Sequence, residues 1–165
     1  MEARPIFKLK LSQTDQFLEI AGWAGLLILW ITTILIYMKL PEIIPTHFNA
    51  AGKVDDHGDK MTIMILPGIS TLLFLGLTFL SRYPHHFNYP SAITERNVVN
   101  QYTNATRMIR VLKLIIVCIM VLLVVMISLS AKGDSSNMPF WFLPLMLGVL
   151  LIPLAYFTYK AIKAK

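Results

Sequence analysis

Ile20-Ala-Gly-Trp-Ala-Gly-Leu-Leu-Ile-Leu-Trp-Ile-Thr-Thr-Ile-Leu-Ile-Tyr-Met38 runs for 19 residues without a charge. A bilayer core about 30 Å thick takes roughly 20 helical residues at about 1.5 Å rise each, so this stretch reads as a membrane span. It is too long for the apolar part of a secretory signal. Tyr37-Met38-Lys39 follows it rather than a small-residue exit, so a retained first span is expected. Three further blocks of similar length lie at 61–81, 111–130 and 138–159. With the first (20–38) they make up about half of the 165 residues.

Composition agrees: 56% of the residues are hydrophobic and 15% charged, where a soluble domain has about 45–50% and about 25%. Intrinsic disorder is excluded by the same balance. The expected fold is an all-α membrane protein, a single four-transmembrane-helix bundle over 1–165. Its outer connection spans 39–60, and its inner connection, 82–110, carries an amphipathic extension of helix 3.

Lysine and arginine set the expected orientation. Eleven lie in the N-terminal arm (Arg4, Lys8, Lys10), the second connection with its helical extension (Arg82, Arg96, Arg107, Arg110, Lys113) and the tail (Lys160, Lys163, Lys165). Four lie on the other side: Lys39, Lys53, Lys60 and Lys132. Both termini are therefore expected in the cytoplasm and the first and third connections outside. The net charge of +6 suits anionic lipid rather than nucleic acid, for which no basic groove interleaved with aromatics is present. Phe140, Trp141 and Phe142 at one end of span four, with Tyr156 and Tyr159 at the other, read as interfacial anchors. The lone Cys118 lies mid-span and can form no intramolecular disulfide.

Local signals refine the elements. Phe7-Lys8-Leu9-Lys10-Leu11 alternates and suits the headgroup zone. Ser12 with Asp15 three residues on resembles a capped helix start, predicting a helix from about Gln13 to Lys39. Ala21, Gly22, Ala24 and Gly25 give it a face that another helix can approach closely. Pro67, Pro144 and Pro153 are each expected to kink their spans. In the inner connection, Val98, Tyr102, Ala105, Ile109 and Leu112 form an apolar stripe after Thr94, a candidate cap. Arg96, Asn100, Thr103, Arg107 and Arg110 form the opposite, polar stripe.

The four blocks contain no Asp, Glu, His or Arg. Lys113, within one turn of the inner end, is expected to snorkel. Thr32, Thr33, Ser70, Thr71, Thr78 and Ser128 can bond back to their own helix carbonyls. Buried charge is costly in a membrane and kept for use, so its absence argues against a proton-driven pump and against catalysis within the bilayer. No nucleophile elbow, zincin motif or phosphate loop occurs, and Ser135 and Ser136 belong to a short turn.

The informative segment is 39–60, Lys39-Leu-Pro-Glu-Ile-Ile-Pro-Thr-His-Phe-Asn-Ala-Ala-Gly-Lys-Val-Asp-Asp-His-Gly-Asp-Lys60, which holds two of four histidines and four of nine acids. Pro41 and Pro45 favour an extended entry, and Asn49-Ala-Ala-Gly52 a turn with positive φ at Gly52. His47, Phe48, Asn49, Gly52, Asp55, Gly58 and Lys60 are the candidate binding or loop-organising residues. His47, His57, Asp55, Asp56 and Asp59 offer nitrogen and hard oxygen to a metal. Their spacing fits neither an EF-hand nor a His-x-x-x-His site, and the alternative has His47 and Asn49 bonding the turn while Asp55 pairs with a lysine.

The pattern L-P-E-x-I-P-x-H-F-N-x-x-G-x-x-D-x-x-G-x-K resembles the hallmark of a bacterial integral-membrane family whose domain has no known function. The same domain occurs in SdpI-like proteins, which confer immunity to a sporulation-delaying toxin. Phe87-Asn88-Tyr89-Pro90, Ile93-Thr94, Gln101-Tyr102 and Arg107-Met108-Ile109-Arg110 are similar to members from Bacteroidetes-type bacteria. The resemblance implies a multi-pass protein of the bacterial cytoplasmic (inner) membrane and no reaction.

The leading expectation is a non-enzymatic protein, needing no cofactor, whose outer loop recognises an extracytoplasmic peptide, a lipid or a membrane-protein partner. That places it in immunity, sensing or an accessory role. A small homo-oligomeric transporter or channel-like protein is the second reading, and a metal-assisted membrane enzyme using the loop histidines the third.

Overall fold

A computed structural model describes residues 4–6, 9–133 and 137–164. Phe7 and Lys8 of the alternating arm, Ser135 and Ser136, and Lys165 lie outside them. Four helices run antiparallel in sequence: α1 (Gln13–Tyr37), α2 (Ile65–Leu80), α3 (Val98–Ala131) and α4 (Phe142–Lys163). With the 3₁₀ turn Lys60–Met64 that leads into α2, all four are long and apolar enough to cross a membrane. Large apolar side chains stay exposed along their outer faces, among them Leu27 and Ile31 on α1, Leu72 on α2, and Leu151 and Ile152 on α4. Water would penalise that belt, whereas hydrocarbon does not.

α1 begins where its first residues require. The Ser12 hydroxyl accepts from the Asp15 amide and the Asp15 carboxylate accepts from the Ser12 amide, a reciprocal cap that satisfies two groups at the helix entry. Farther along, a Cβ on Gly22 would sit 3.0 Å from the Phe74 ring of α2, and one on Gly25 3.1 Å from Val117 of α3. The small residues thus admit neighbouring side chains close to the α1 backbone. Leu26, Leu29, Phe74, Val117 and Val124 form the core with Ile63. Trp30 Nε1 donates to Thr71 Oγ1 at 3.0 Å, tying α1 to α2. Thr33, Thr71 and Thr78 each donate to the carbonyl four residues back.

α3 is the central helix and packs on each of the other three. It starts at Val98 rather than just after Thr94, because Asn97 Oδ1 accepts from the Thr94 amide and holds residues 94–97 in a turn. Val98, Tyr102 and Ile109 of the apolar stripe are buried. The opposite stripe divides: Arg96 and Asn100 are exposed, whereas Arg107 and Arg110 turn toward α1.

The prolines need correction. Pro67 and Pro144 fall at the third residue of α2 and α4; for Pro144 the missing N–H would have no helical partner in any case, whereas Pro67 follows directly on the 3₁₀ turn 60–64 and stands at its junction with α2. Only Pro153 stands inside a helix. α4 itself starts at Phe142, four residues later than the apolar block, because the Met138 amide donates to Gly52 O at 2.7 Å. Phe142 is buried, so it anchors in the bundle, while Phe140 and Trp141 are exposed.

Candidate functional site: a β-hairpin over an apolar cleft

Between α1 and α2 the chain forms two antiparallel strands, β1 (Ile43–Phe48) and β2 (Val54–Asp59). Their register pairs Ile43 with Asp59, Pro45 with His57 and Phe48 with Val54, with irregularities on either side of His47. The turn is built by Asn49, whose Oδ1 accepts from the amides of Ala51 and Lys53 at 2.9 and 3.1 Å. Gly52 closes it with φ +76°, a region that L-residues rarely enter. A Cβ on Gly52 would also lie 2.3 Å from Met138 O, so glycine is required twice over. Gly58 likewise makes room for Thr46, whose Cγ2 lies 2.9 Å from where a Cβ would be.

The hairpin is rooted rather than free. Ile44 is 1% exposed and joins Leu40 in the bundle core. Asp59 caps the 3₁₀ turn by accepting from the Met61 amide at 2.7 Å. Lys60 donates to Glu42 at 2.8 Å and sits over the Tyr37 ring. On its far side the hairpin meets the entry to α4, where Lys53 bridges Asn137.

Beneath it lies a cleft of about 490 Å³. His47, Phe48, Asn49 and Gly52 line its roof; Leu66 from α2, Leu123 and Ile127 from α3, and Leu143 and Met146 from α4 line its floor. A polar roof over an apolar floor suits a molecule with both characters, and the volume lies within the range of small-molecule sites, about 300–1,000 Å³.

The remaining candidates are placed elsewhere. Asp55 faces the His47 Nδ1 at 2.5 Å, on an exposed surface, so it pairs with a histidine and not with a lysine. Asp56 accepts from the His57 amide. Among the described residues no group of three His, Cys, Asp or Glu side chains is placed to hold a metal ion. His47, His57, Asp55, Asp56 and Asp59 therefore do not assemble into one coordination sphere.

A second constellation escaped the sequence reading, at the opposite end of the bundle. Lys113 does not snorkel. It is 1% exposed, donates to Glu19 at 2.9 Å and Thr78 Oγ1 at 2.8 Å, and lies 4.5 Å above the Phe74 ring. Arg107 grips Asp15 through Nε at 2.7 Å and Nη2 at 3.0 Å, and Nη2 also reaches Ser12. Arg110 Nε lies 3.0 Å from Glu19 without the alignment of a hydrogen bond. The helices thus do carry inward charges at one end. Asp15 and Glu19 are four apart, while Arg107, Arg110 and Lys113 are three apart. Those are the spacings of two complementary helix faces, and they could have been matched.

Residues 24–71 match the family model of a domain of unknown function (DUF1648). An uncharacterised protein of Archaeoglobus fulgidus is 32% identical over 89 residues, covering 49% of each chain. The chain thus spans about half the length of the curated relative it matches. No solved structure matches. The family match takes in most of α1, the hairpin, the 3₁₀ turn and the start of α2, leaving out Asp15, Glu19 and all of α3. The match to that family is therefore confined to the segment that here forms the hairpin and the helix ends that carry it.

Proposed function

We propose that this is a non-enzymatic protein of the bacterial cytoplasmic membrane, with both termini inside and the hairpin outside, and that the hairpin and its cleft recognise an amphipathic ligand. The cleft carries this reading, because its polar roof stands over a floor made of apolar side chains from α2, α3 and α4. Such a shape favours a lipid whose head meets His47 and Asn49 while its chain lies against Leu123, Leu143 and Met146. A toxin peptide with an apolar anchor would use the same surface, as the likeness of the loop to SdpI-like proteins suggests. The role that follows is immunity, sensing or service as an accessory subunit.

Two experiments test it. A cysteine at Ala51 in a Cys118→Ser background should react with an impermeant maleimide on intact cells; labelling only after the membrane is breached would reverse the orientation. A phospholipid bearing a diazirine in its acyl chain should crosslink to residues 138–146 of wild type and lose that product in Leu143→Trp, which fills the floor. Equal labelling of the two proteins would remove the cleft from consideration.

The pairing of buried Lys113 with the half-buried Glu19 favours a second reading, a small oligomeric transporter, because embedded ionisable groups often mark ion paths. Proton or ion flux in proteoliposomes that is lost in Lys113→Met would support it. No observation favours the metal-assisted enzyme.

A further inference from the structure

A pocket of about 420 Å³ opens at the end of the bundle away from the hairpin, between residues 86–90, α3 and the last turns of α4. Phe87, Met108, Ile109 and Phe157 give it apolar walls, and Gln101 and Asn104 contribute its buried polar groups. Gln101 is 1% exposed and Asn104 9%.

The orientation of both amides is determined by their partners. Gln101 Nε2 donates to Ala161 O and Ala164 O, each at 2.8 Å, and Asn104 Nδ2 donates to Phe157 O at 2.8 Å. Carbonyls only accept, so nitrogen must face the α4 backbone, and the amide oxygen must be the free end. Gln101 Oε1 and Asn104 Oδ1 are both buried with no hydrogen-bond partner. Buried acceptors without donors are costly and rare. Here two stand one helical turn apart on residues lining one pocket.

The chemistry that would complete them is narrow. Among the described residues lining the pocket none is Asp, Glu, Lys or Arg. An ammonium would be buried there without a carboxylate, and a phosphate, although His86 and Asn88 also line the pocket, would bring only acceptors to these two oxygens. A plain hydrocarbon would leave both oxygens unpaired. Hydroxyl groups donate while remaining neutral. We propose that this pocket binds a neutral single-chain lipid with a polyol head, of the monoacylglycerol class. Its hydroxyls donate to Gln101 Oε1 and Asn104 Oδ1, and its chain lies along Phe87, Met108, Ile109 and Phe157. This site is independent of the hairpin cleft and stands whether or not that cleft takes a ligand.

The test uses the full chain in phosphatidylcholine nanodiscs, which carry no hydroxyl head group. 1-Monoolein should raise the melting temperature saturably, by roughly 5–10 °C at about a hundredfold excess over its dissociation constant. Methyl oleate, which has the chain without the hydroxyls, and glycerol, which has the hydroxyls without the chain, should not. Asn104→Leu removes one acceptor, and Ala105→Phe fills the pocket without touching either amide; both should abolish the shift. An equal shift with methyl oleate, or a shift retained in Ala105→Phe, would overturn the proposal. A shift with glycerol alone would assign the site to a free polyol and overturn its lipid identity.

Discussion

Glu19→Gln is the most searching perturbation of this bundle. Glu19 Oε2 lies 2.9 Å from Lys113 Nζ and Oε1 lies 3.0 Å from Arg110 Nε. Both cations are buried, Lys113 at 1% and Arg110 at 6% exposure. Among the described residues no other carboxylate forms an ion pair with either of them. The amide keeps the shape of the side chain but removes its charge, leaving two cations with Thr78 and the Phe74 ring as the remaining partners of Lys113. Removing one partner of a buried pair costs about 3–5 kcal/mol, because the other charge stays desolvated. At about 2–4 °C per kcal/mol for a chain of this size, the melting temperature should fall by roughly 6–20 °C. Intrinsic tryptophan fluorescence of the purified protein during heating reads this directly. The double variant Glu19→Gln with Lys113→Met should recover part of the loss, since an apolar replacement removes the stranded charge. A coupling energy of about 0.5–3 kcal/mol is expected from the cycle. A single variant within about 2 °C of wild type, or a double variant equal to the sum of its singles, would refute the claim that these charges are locked together.

Three further outcomes are expected. Gly52→Ala meets both a φ of +76° and the Met138 carbonyl, so the hairpin should lose on the order of 1–3 kcal/mol; faster amide exchange at Asn49 and Met138 would show it, and unchanged protection would count against it. Ile44→Ala empties a fully buried position beneath β1 and should cost about 2–5 kcal/mol in thermal unfolding, whereas a loss below about 1 kcal/mol would mean that the hairpin is not rooted in the core. His47→Ala breaks only an exposed pair with Asp55, so stability should change by about 0.5 kcal/mol or less; any lost phenotype is then a lost contact, and a large drop in melting temperature would make His47 architectural instead.

The hairpin position in the structure also bears on what a family resemblance can carry. The matched residues, 24–71, include the roof of the cleft but only Leu66 of the floor residues named above. The rest of that floor comes from α3 and α4, outside the match.

Chain order alone discloses what depends on near neighbours or on average solvation. Four apolar blocks declare four helices because each must satisfy its own backbone once out of water. Ser12 and Asp15 declare the start of α1 because a cap acts over three residues. Gly22 and Gly25 likewise signal a close approach, though not that Phe74 and Val117 would make it. Tertiary structure decided everything that joins distant segments. It turned Arg107, Arg110 and Lys113 from members of a polar stripe and a snorkelling side chain into partners of Asp15 and Glu19, more than ninety residues away. It placed Pro67 and Pro144 in the first turns of α2 and α4, and it set Met138 against Gly52 to make a cleft out of a polar loop. The physical reason is common to all three. Hydropathy assigns a cost to each residue by itself, whereas the energy of a buried charge or a cavity belongs to the pair of surfaces that meet.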